Sequence, residues 1–482
     1  MSPHALSPSL GKTVDETAAY LSTKFAVTSN GFLPKEAPLK ELPSYYASWD
    51  AIIRRLPQLL RTGALREKAR EFEVLSTDEL KTEAQWRRAY VILGFLAQAY
   101  VWGGCQPAEV LPAAISVPFL RVSAHLELPP VLTYAASNLW NFTCTGSTGD
   151  FTNVDAVQSM HTFTGTEDES WFFMISVAME AQAGRAIPAM TRALEAAAKQ
   201  KTPRDYAALA RALDELTASI EKVGRLLERM HERCDPDVFY HRIRPFLAGS
   251  KNMEAAGLPR GVLYPEHQQD DGKWTGAWHQ WRGGSNGQSS MIQFFDVVLG
   301  VEHTNEGNSR ASPPPEGENH PAAPRSYHDE VRDYMPGPHR RFLVHVSQQG
   351  SLRALAQKLQ QQSGTSSLDE EQRRFCDAYV RATETLGTLR NKHIQIVTRY
   401  IVLPAKRAAR AMLEKTNGED DGVQAAPQRQ NLATSSAMKS SQDGGGGGAA
   451  EEPELRGTGG TTLIPFLKQS RDETFEAGYL RA

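Results

Sequence analysis

The sequence predicts an all-α protein, and two observations lead to this class. Apolar residues recur at helical spacing with charged residues between them, most clearly over 184–232. Alternating runs of valine, isoleucine and aromatic residues are scarce, and no series of strand–helix–strand units can be recognised. The clearest single stripe predicts a long amphipathic helix and consists of Leu213, Leu216, Ile220, Val223, Leu226 and Leu227.

Length, charge and composition restrict the class of protein further. The 482 residues, 40% of them hydrophobic, are ample for a buried core and suggest more than one domain. A formal net charge of -3 gives no electrostatic argument for nucleic acid or an anionic membrane as partner. The first residues lack the basic flank and apolar run of a secretory signal, and no stretch of about 18 apolar residues predicts a membrane span. A cytoplasmic protein is therefore expected.

The four cysteines do not predict a metal site or a disulfide framework. The cysteines are far apart in the sequence, and no two of them form a Cys-x-x-Cys pair; they are Cys105, Cys144, Cys234 and Cys376. Structural zinc and iron–sulfur clusters usually need such pairs, so neither is expected. Reduced thiols in a cytosolic protein are the simpler interpretation.

Two polar segments interrupt the helical pattern. Residues 304–325 combine proline, glycine, asparagine and serine with almost no apolar content, which predicts a long surface loop. Residues 416–455 include five consecutive glycines and are expected to form a disordered linker, because they cannot bury enough surface to offset their ordering entropy. Apolar residues return in 456–482, and this predicts a tail that docks back on the body.

A domain boundary is expected between about 142 and 170, where a turn-rich stretch precedes an apolar helix. The sequence is thereby divided into an N-terminal extension at 1–27, a small helical domain at 28–155 and a large helical domain at 156–415. The 304–325 loop is an insertion in the large domain.

A histidine within an apolar helical stripe is the candidate ligand for a cofactor. A porphyrin requires an apolar wall and one nitrogen ligand, and an imidazole in such a stripe would provide both. Arg390, one turn before His393, could reach a haem propionate. The alternative is a core histidine whose ring is satisfied by a backbone carbonyl. The stripe that shares the helical face of His393 comprises Leu386, Leu389, Ile396, Val397 and Tyr400.

A glycine-rich turn precedes a second apolar helix. Glycines at 283, 284 and 287 predict a tight turn, and a helix is expected to begin near Ser289. The turn lacks the Gly-Lys-Ser/Thr of a P-loop and follows no strand, so a nucleotide site is not expected. A loop that closes over a flat ligand is the functional interpretation, and an inert helix-entry turn is the alternative. The helix is expected to bury Met291, Phe294, Phe295, Val298 and Leu299.

Two further pairs could contribute to a pocket. Phe172 and Ser176 are four residues apart and could line an apolar pocket with one polar group, although such a pair is more often core packing. Phe239 and Arg244 are five apart, so an ideal α-helix would set them about 140° apart. Pro245 disfavours helical geometry at Arg244. Arg244 could bind a substrate carboxylate, or it could be a surface arginine lying over aromatic rings.

Several well-known catalytic motifs are missing from the sequence. It contains no Gly-x-Ser-x-Gly nucleophile elbow, no His-Glu-x-x-His zinc helix and no Gly-x-Gly-x-x-Gly dinucleotide fingerprint. The sequences of several segments, and their order along the chain, resemble those of the indoleamine 2,3-dioxygenase family over roughly 28–415 and 456–475. The segments that carry this resemblance are GFLPKEAPLKELPSYYASWD (31–50), HLELPPVLTYAASNLWN (125–141), GGSNGQSSMIQFFDVVLG (283–300), YMPGPHRRFL (334–343), LRNKHIQIVTRYIVLPA (389–405) and RGTGGTTLIPFLK (456–468).

The resemblance implies a two-domain, all-helical fold with haem b between the domains. The reaction that it implies is insertion of both atoms of O2 across the indole C2–C3 bond of L-tryptophan, which gives N-formylkynurenine in the first step of the kynurenine pathway towards NAD. The implied partners are L-tryptophan or a related indoleamine, O2, and a reductant that keeps the haem ferrous. A monomer is expected, without nucleic acid or membrane.

The resemblance also implies roles for individual residues. His393 would be the proximal ligand of the haem iron, with Arg390 and Asp296 on the proximal and propionate side. Phe239 would pack on the indole, and Arg244 would bind the substrate carboxylate. The expected catalytic residues are Ser176, Phe239 and Arg244, and those expected to touch haem or substrate are Tyr134, Ser137, Phe172, Phe173, Gly284, Ser285 and, in the loop that closes the site, Thr458.

Three positions depart from the family pattern, and alternatives to the enzyme remain. Ser137 and Asn138 stand where the family often has cysteine and valine, and Asn286 stands where it has alanine. The pocket is therefore expected to be more polar, which affects substrate affinity more than the reaction. The alternatives are a haem dioxygenase paralogue of low activity, a non-enzymatic haem-binding sensor or interaction protein, and a helical scaffold without haem.

Overall fold

Helices make up most of the chain in the computed structural model, which describes residues 13–145, 149–198, 206–304, 326–363, 367–417, 429–435, 455–458 and 462–480. The predicted all-α class is confirmed. The helices are α1 (Val14–Phe25), α2 (Ala47–Arg54), α3 (Leu56–Thr62), α4 (Leu65–Arg70), α5 (Glu83–Trp102), α6 (Ala113–Leu126), α7 (Glu167–Gly184), α8 (Ile187–Ala198), α9 (Tyr206–Glu228), α10 (Met230–Arg233), α11 (Pro236–Val238), α12 (Arg244–Leu247), α13 (Ser290–Leu299), α14 (Tyr327–Arg332), α15 (Gly337–Ser347), α16 (Leu352–Ser363), α17 (Glu370–Val397), α18 (Leu403–Asn417) and α19 (Leu463–Gly478).

Two short antiparallel hairpins are the strand pairs among the described residues. Strand β1 (Phe142–Cys144) pairs with β2 (Val157–Ser159). Strand β3 (Val262–Gln268) pairs with β4 (Trp274–His279), with a register shift near Pro265. Neither hairpin was predicted, because β1 and β2 have only three residues each and because buried and exposed residues do not alternate along β3 and β4.

Local sequence signals explain where several helices begin. Thr13 and Thr82 cap α1 and α5, each in a reciprocal capping box with the third residue of the helix. Asp369 caps α17 in the same way. Ser289 caps α13, so this helix begins where the sequence predicted it.

The long helix α17 is central to the packing around the cavity described below. It packs against α9 along one side and against α19 along another. The predicted stripe of α9 is buried except at Leu226, which is only partly covered. Among the described residues, no helix combines the length and the hydrophobicity that a membrane crossing requires.

In the part of the chain that the structure describes, three π-helical turns occur between or beside the helices. They are the segments Ala135–Leu139, Phe239–Ile243 and Thr398–Val402. The second joins α11 to α12, and the third joins α17 to α18. Such turns are rare and are often found at functional sites.

The two predicted polar segments lie largely outside the described residues. This applies to 305–325, 418–428 and 436–454. Residues 429–435 correct the expectation of one continuous disordered linker, because Leu432 and Ala433 are buried. The physical reason is local: Asn431 accepts hydrogen bonds from the N–H groups of Ala433 and Thr434, which turns this apolar pair onto the body.

Candidate functional site

A large cavity lies between α7, α17, the three π turns and the C-terminal segment. Its empty volume is about 1860 Å³ including its open mouth. Asp296 is the one predicted site residue that does not line it. The predicted site residues along its walls are Tyr134, Ser137, Phe172, Phe173, Ser176, Phe239, Arg244, Gly284, Ser285, Arg390, His393 and Thr458.

His393 is half-buried on the cavity side of α17 and is surrounded by apolar side chains. Burial, together with the nearby Arg390 cation, lowers the pKa of His393 to about 4. The imidazole is therefore neutral at neutral pH, and a ring nitrogen keeps its lone pair. Among the described residues no hydrogen-bond partner reaches the ring, so the alternative of a histidine satisfied by a backbone carbonyl is not observed.

Arg390 joins α17 to α13 and α19. Its Nη2 donates to both carboxylate oxygens of Asp296, at 2.6 and 2.8 Å. Its Nη1 donates to the Ser470 carbonyl and the Thr474 hydroxyl, both at 2.5 Å. Burial alone would raise the pKa of Asp296, but Arg390 and His303 outweigh it and lower that pKa to about 2. The Asp296 carboxylate is therefore ionised and fixes Arg390 beside His393.

A second histidine, His303, bridges two carboxylates at this end of the cavity. It lies 3.3 Å from Asp296 Oδ2 and 2.6 Å from Glu473 Oε2. Burial disfavours its charge, but these two carboxylates raise its pKa. The ring of His328 stacks on it with 3.7 Å between centroids. The sequence analysis did not identify His303, His328 or Glu473. Their contacts join segments that are far apart in the chain, so no local spacing indicates them.

The three side chains Asp296, His303 and His328 are close enough to share a metal ion. Two observations disfavour this. Arg390 occupies both oxygens of Asp296. The rings of His303 and His328 are nearly parallel, at 11°, so their in-plane lone pairs do not converge on one point.

Aromatic rings form a slot on the side of the cavity formed by α7. The rings of Phe172 and Phe239 lie 4.8 Å apart at 54°, and Phe239 meets Tyr400 edge-on at 5.8 Å. Ser176, one turn after Phe172, is buried and presents a hydroxyl to the same space. The predicted pair Phe172 and Ser176 thus lines the cavity, and the slot fits a flat, largely apolar ligand with few polar groups.

Arg244 is completely buried, which rules out the alternative of a surface arginine. Its Nη2 donates to the Arg456 carbonyl. Its Nε and Nη1 have no hydrogen-bond partner among the described residues. Burial lowers the pKa of Arg244 to about 10, so the group is still a cation at neutral pH. A buried cation with unpaired N–H groups carries a large desolvation cost, which an anionic ligand would offset.

The π-helical turn before Arg244 explains why it faces the same cavity as Phe239. An α-helix would separate them by about 140°. In the observed turn, hydrogen bonds run from residue i to i+5, so residues five apart lie on nearly the same side. Arg244 keeps helical dihedral angles of φ -52° and ψ -38°, contrary to the effect expected of Pro245. Proline is tolerated there because it stands in the first turn of α12.

The wall formed by the π turn at 135–139 is polar. The Ser137 hydroxyl donates to Asn138 Oδ1 at 2.5 Å, and Asn138 Nδ2 donates to the Phe173 carbonyl at 3.3 Å. Both residues are buried and line the cavity, as does Asn286 across from them. The three positions that depart from the family pattern therefore all lie on the cavity wall.

The glycine-rich turn and the C-terminal segment meet at the mouth. Thr458 donates to the Gly284 carbonyl at 2.8 Å, and its own carbonyl accepts from Gly249 and Gly283, both at 3.3 Å. Glycine is required at 283, because a Cβ there would lie 2.0 Å from the Leu247 carbonyl oxygen. Thr458 therefore lies over the glycine turn, where the sequence placed a closing loop.

One buried acid beside the cavity was also missed. Glu180 lies one turn after Ser176 on α7 and is completely buried. The Ser289 hydroxyl donates to its Oε1 at 2.6 Å. A single acidic residue inside the apolar run WFFMISVAMEAQ (171–182) was the available signal.

Comparisons with known proteins assign the family. The family model described as indoleamine 2,3-dioxygenase matches residues 21–477. An indoleamine 2,3-dioxygenase of Aspergillus nanangensis is 37% identical over 459 residues, which cover 94% of this chain and 95% of the relative. An indoleamine 2,3-dioxygenase of Saccharomyces cerevisiae is 35% identical, covering 92% and 90%. A 6-hydroxytryptophan 2,3-dioxygenase of Fusarium equiseti is 34% identical, covering 93% and 95%. The chain belongs to the indoleamine 2,3-dioxygenase family.

Proposed function

We propose that the protein uses haem to cleave the indole C2–C3 bond of L-tryptophan with O2, which gives N-formylkynurenine and begins the kynurenine pathway towards NAD. The observation that carries this proposal is that one cavity holds both the neutral imidazole of His393 and the buried guanidinium of Arg244. Among the described residues, no hydrogen-bond partner reaches the imidazole ring or the Nε and Nη1 of Arg244. The first suits an iron ligand and the second suits a carboxylate. Both are needed by a haem enzyme that acts on an amino acid.

The residues around His393 fit a haem. The donor set is one neutral imidazole in an apolar wall, and its ring has no competing hydrogen bond among the described residues. His393 would hold the iron, and Arg390, Gly284 and Ser285 border the same space at the cofactor's edge. The haem, when bound, supplies the O2 chemistry. A reductant that keeps it ferrous is part of the proposal.

The chain's own residues orient the substrate and exclude water. Arg244 would pair with the substrate carboxylate, which removes the desolvation cost of its unpaired N–H groups. Phe239 and Phe172 would hold the indole ring, with Ser176 as the nearby hydroxyl. Because the product contains all the atoms of tryptophan and O2, the reaction releases no net proton and its balance needs no external base. Positioning of the substrate against the aromatic rings is therefore the main protein contribution.

The role of Arg244 is tested by Arg244→Ala. We expect KM for L-tryptophan to rise roughly 30-fold or more, because a buried charged hydrogen-bond partner is lost. The ferrous–CO spectrum should stay intact, because the variant leaves the His393 side unchanged. Arg242→Ala is the matched control, since Arg242 lies on the same turn but is exposed. An unchanged KM in Arg244→Ala defeats the assignment.

The role of His393 is tested by haem content. His393→Ala should yield protein without stoichiometric haem, because the imidazole that would hold the iron is lost and the other histidine in the described cavity lining, His328, is stacked on His303. His125→Ala, at an exposed histidine away from the cavity, should retain it. Full haem retention in His393→Ala contradicts the proposal.

A second candidate substrate is a ring-hydroxylated tryptophan. The polar wall of Ser137, Asn138 and Asn286 favours it, because a substrate hydroxyl could donate to the Ser137 oxygen. The relative in Fusarium equiseti is named for 6-hydroxytryptophan. The ratio of kcat/KM for 6-hydroxytryptophan to that for tryptophan should fall about tenfold in Ser137→Ala, since this variant removes the oxygen that would accept the substrate hydroxyl and one buried hydrogen bond is worth that much. An unchanged ratio removes this candidate.

The non-enzymatic haem sensor is the competing interpretation. A sensor needs His393 but leaves the aromatic slot and the unpaired Arg244 without a use. A tryptophan-induced shift of the haem spectrum separates the two functions.

A further inference from the structure

Glu180 is a buried carboxyl group that the proposed reaction does not use. Its side chain is completely covered on α7, one turn after Ser176. Its Oε1 accepts the Ser289 hydroxyl at 2.6 Å, while no donor among the described residues is aligned with Oε2. The Tyr134 hydroxyl lies against the carboxyl group and against Ser176 and Ser289. An unsatisfied buried oxygen next to a hydroxyl calls for a physical explanation.

The carboxylic acid form explains this arrangement. Among the residues that the structure describes, no cation faces Glu180, and burying an ionised carboxylate without a cation costs much free energy. Burial raises the pKa of Glu180 to about 7, although Ser289 and Tyr134 act in the opposite direction. A protonated acid has one acceptor oxygen and one O–H donor, so Oε1 serves Ser289 and Oε2–H can donate to the Tyr134 hydroxyl.

The two partners of Glu180, Tyr134 and Ser289, and the Ser176 hydroxyl that lies against Tyr134 belong to three different walls of the cavity. Tyr134 stands immediately before the polar π turn at 135–139. Ser289 follows the glycine-rich turn and caps α13. Ser176 belongs to the aromatic slot. One buried group therefore connects the polar wall, the glycine turn and the slot.

We propose that Glu180 is a positioning residue whose carboxylic acid orients the Tyr134 and Ser289 hydroxyls and thereby fixes the substrate side of the cavity. This inference rests on the proposed dioxygenase function. It concerns the geometry of substrate binding, not the binding of haem.

Two substitutions separate hydrogen bonding from charge. Glu180→Gln keeps one acceptor and one donor without a titratable proton, and we expect kcat/KM for tryptophan to stay within about twofold. Glu180→Leu removes both functions at similar volume. We expect KM to rise about tenfold with haem content unchanged, because two buried hydroxyls lose their partner.

The pH dependence is the readout that a merely structural role would not change. In the wild type, KM should rise between about pH 6 and about pH 8 as the acid ionises, and this rise should be missing in Glu180→Gln. The titratable group that faces Glu180 among the described residues is Tyr134, whose pKa is raised well above its usual value by burial and so stays neutral in this range.

The control is Glu169→Gln on the same helix. Glu169 is equally buried, but the N–H groups of Phe163 and Thr164 donate to its two oxygens, at 2.8 and 2.7 Å, and Tyr134 is not among its partners. This variant should lower stability without removing the pH dependence of KM.

The decisive experiment adds infrared spectroscopy of the purified protein to these kinetics. The carbonyl stretch of a protonated carboxylic acid should be present near pH 6 in the wild type and weaker in Glu180→Gln, whether or not haem is bound. A difference of this kind, with the tenfold KM effect in Glu180→Leu, supports the inference. Identical infrared bands in wild type and Glu180→Gln, or unchanged KM in Glu180→Leu, overturn it. Haem-loaded wild type that turns over no indole instead refutes the proposed function, and the infrared comparison still decides the protonation state.

Discussion

Two buried ionisable residues, Arg244 and Glu180, determine the polarity of the substrate side of the cavity. Among the described residues, the Nε and Nη1 of the Arg244 cation have no hydrogen-bond partner. No cation among them faces the Glu180 carboxyl group. Sequence reasoning identified Arg244 from its aromatic neighbours but could not place it, because the helical period sets it away from Phe239. Only the π turn brings the two together. Glu180 was missed because the sequence around an acidic residue in an apolar helix does not indicate which distant residues will contact it.

The protonation of Glu180 has a consequence for stability that does not depend on activity. Its pKa is about 7 in the folded protein and 4.5 as a reference. Between these values the unfolded chain ionises while the folded chain keeps the proton, so the wild type loses stability as pH rises. The loss is on the order of 3 kcal/mol in total, at about 1.4 kcal/mol per pH unit. Glu180→Gln lacks this loss.

The measurement is the free energy of unfolding of both proteins by denaturant. The advantage of Glu180→Gln over the wild type should grow from about pH 4.5 to about pH 7 and then level off. A difference between the two proteins that is the same at all pH values contradicts a protonated Glu180.

At the scale of elements, the sequence predicted the helices well and the π turns not at all. The stripe of α9 and the start of α13 at its serine cap follow from local patterns. The π turns insert residues into the helical period, and no residue type marks them. The hairpin β1–β2 was missed because its strands have three residues each, and β3–β4 was missed because its strands lack an alternation of buried and exposed residues.

The docking of α19 depends on a buried ion pair that can be weakened without touching the cavity. Glu473 bonds His303 at 2.6 Å and also accepts from Thr304. Burial opposes its charge, but these donors lower the pKa of Glu473 to about 2. The pKa of His303 is raised instead. Ionised Glu473 therefore stabilises the folded protein at pH values above its reference pKa of 4.5. Protonated His303 stabilises the folded protein at pH values below its reference pKa of 6.5.

Glu473→Gln should therefore lower the melting temperature most between about pH 4.5 and about pH 6.5. The effect should shrink as pH rises through the folded pKa of His303, because the imidazolium partner is lost. Glu476→Gln, an exposed residue on the same helix, serves as control. A destabilisation of equal size at pH 5 and pH 9 contradicts the charged bridge.

At the scale of the whole molecule, the cavity draws on widely separated parts of the sequence. Tyr134 and Ser137 come from the predicted small domain at 28–155, His393 from the large domain at 156–415, and Thr458 from the tail. The division into these domains stays a prediction. The resemblance to the family implied the lining residues, and four of the six segments that carry it contain at least one of them: 125–141, 283–300, 389–405 and 456–468. The network of Asp296, His303 and Glu473 could not be predicted, because it joins α13, the residues that follow it and α19 through contacts without a local signature.

The proposed haem dioxygenase function is tested most simply by an absorbance measurement on purified protein supplied with haem. Spectra of the ferric and reduced protein are recorded with and without L-tryptophan, and N-formylkynurenine is then followed in the presence of O2 and a reductant. The proposal predicts a haem spectrum that shifts with tryptophan, followed by product. A haem spectrum without a shift and without product would contradict the dioxygenase function, leaving a haem protein of another kind.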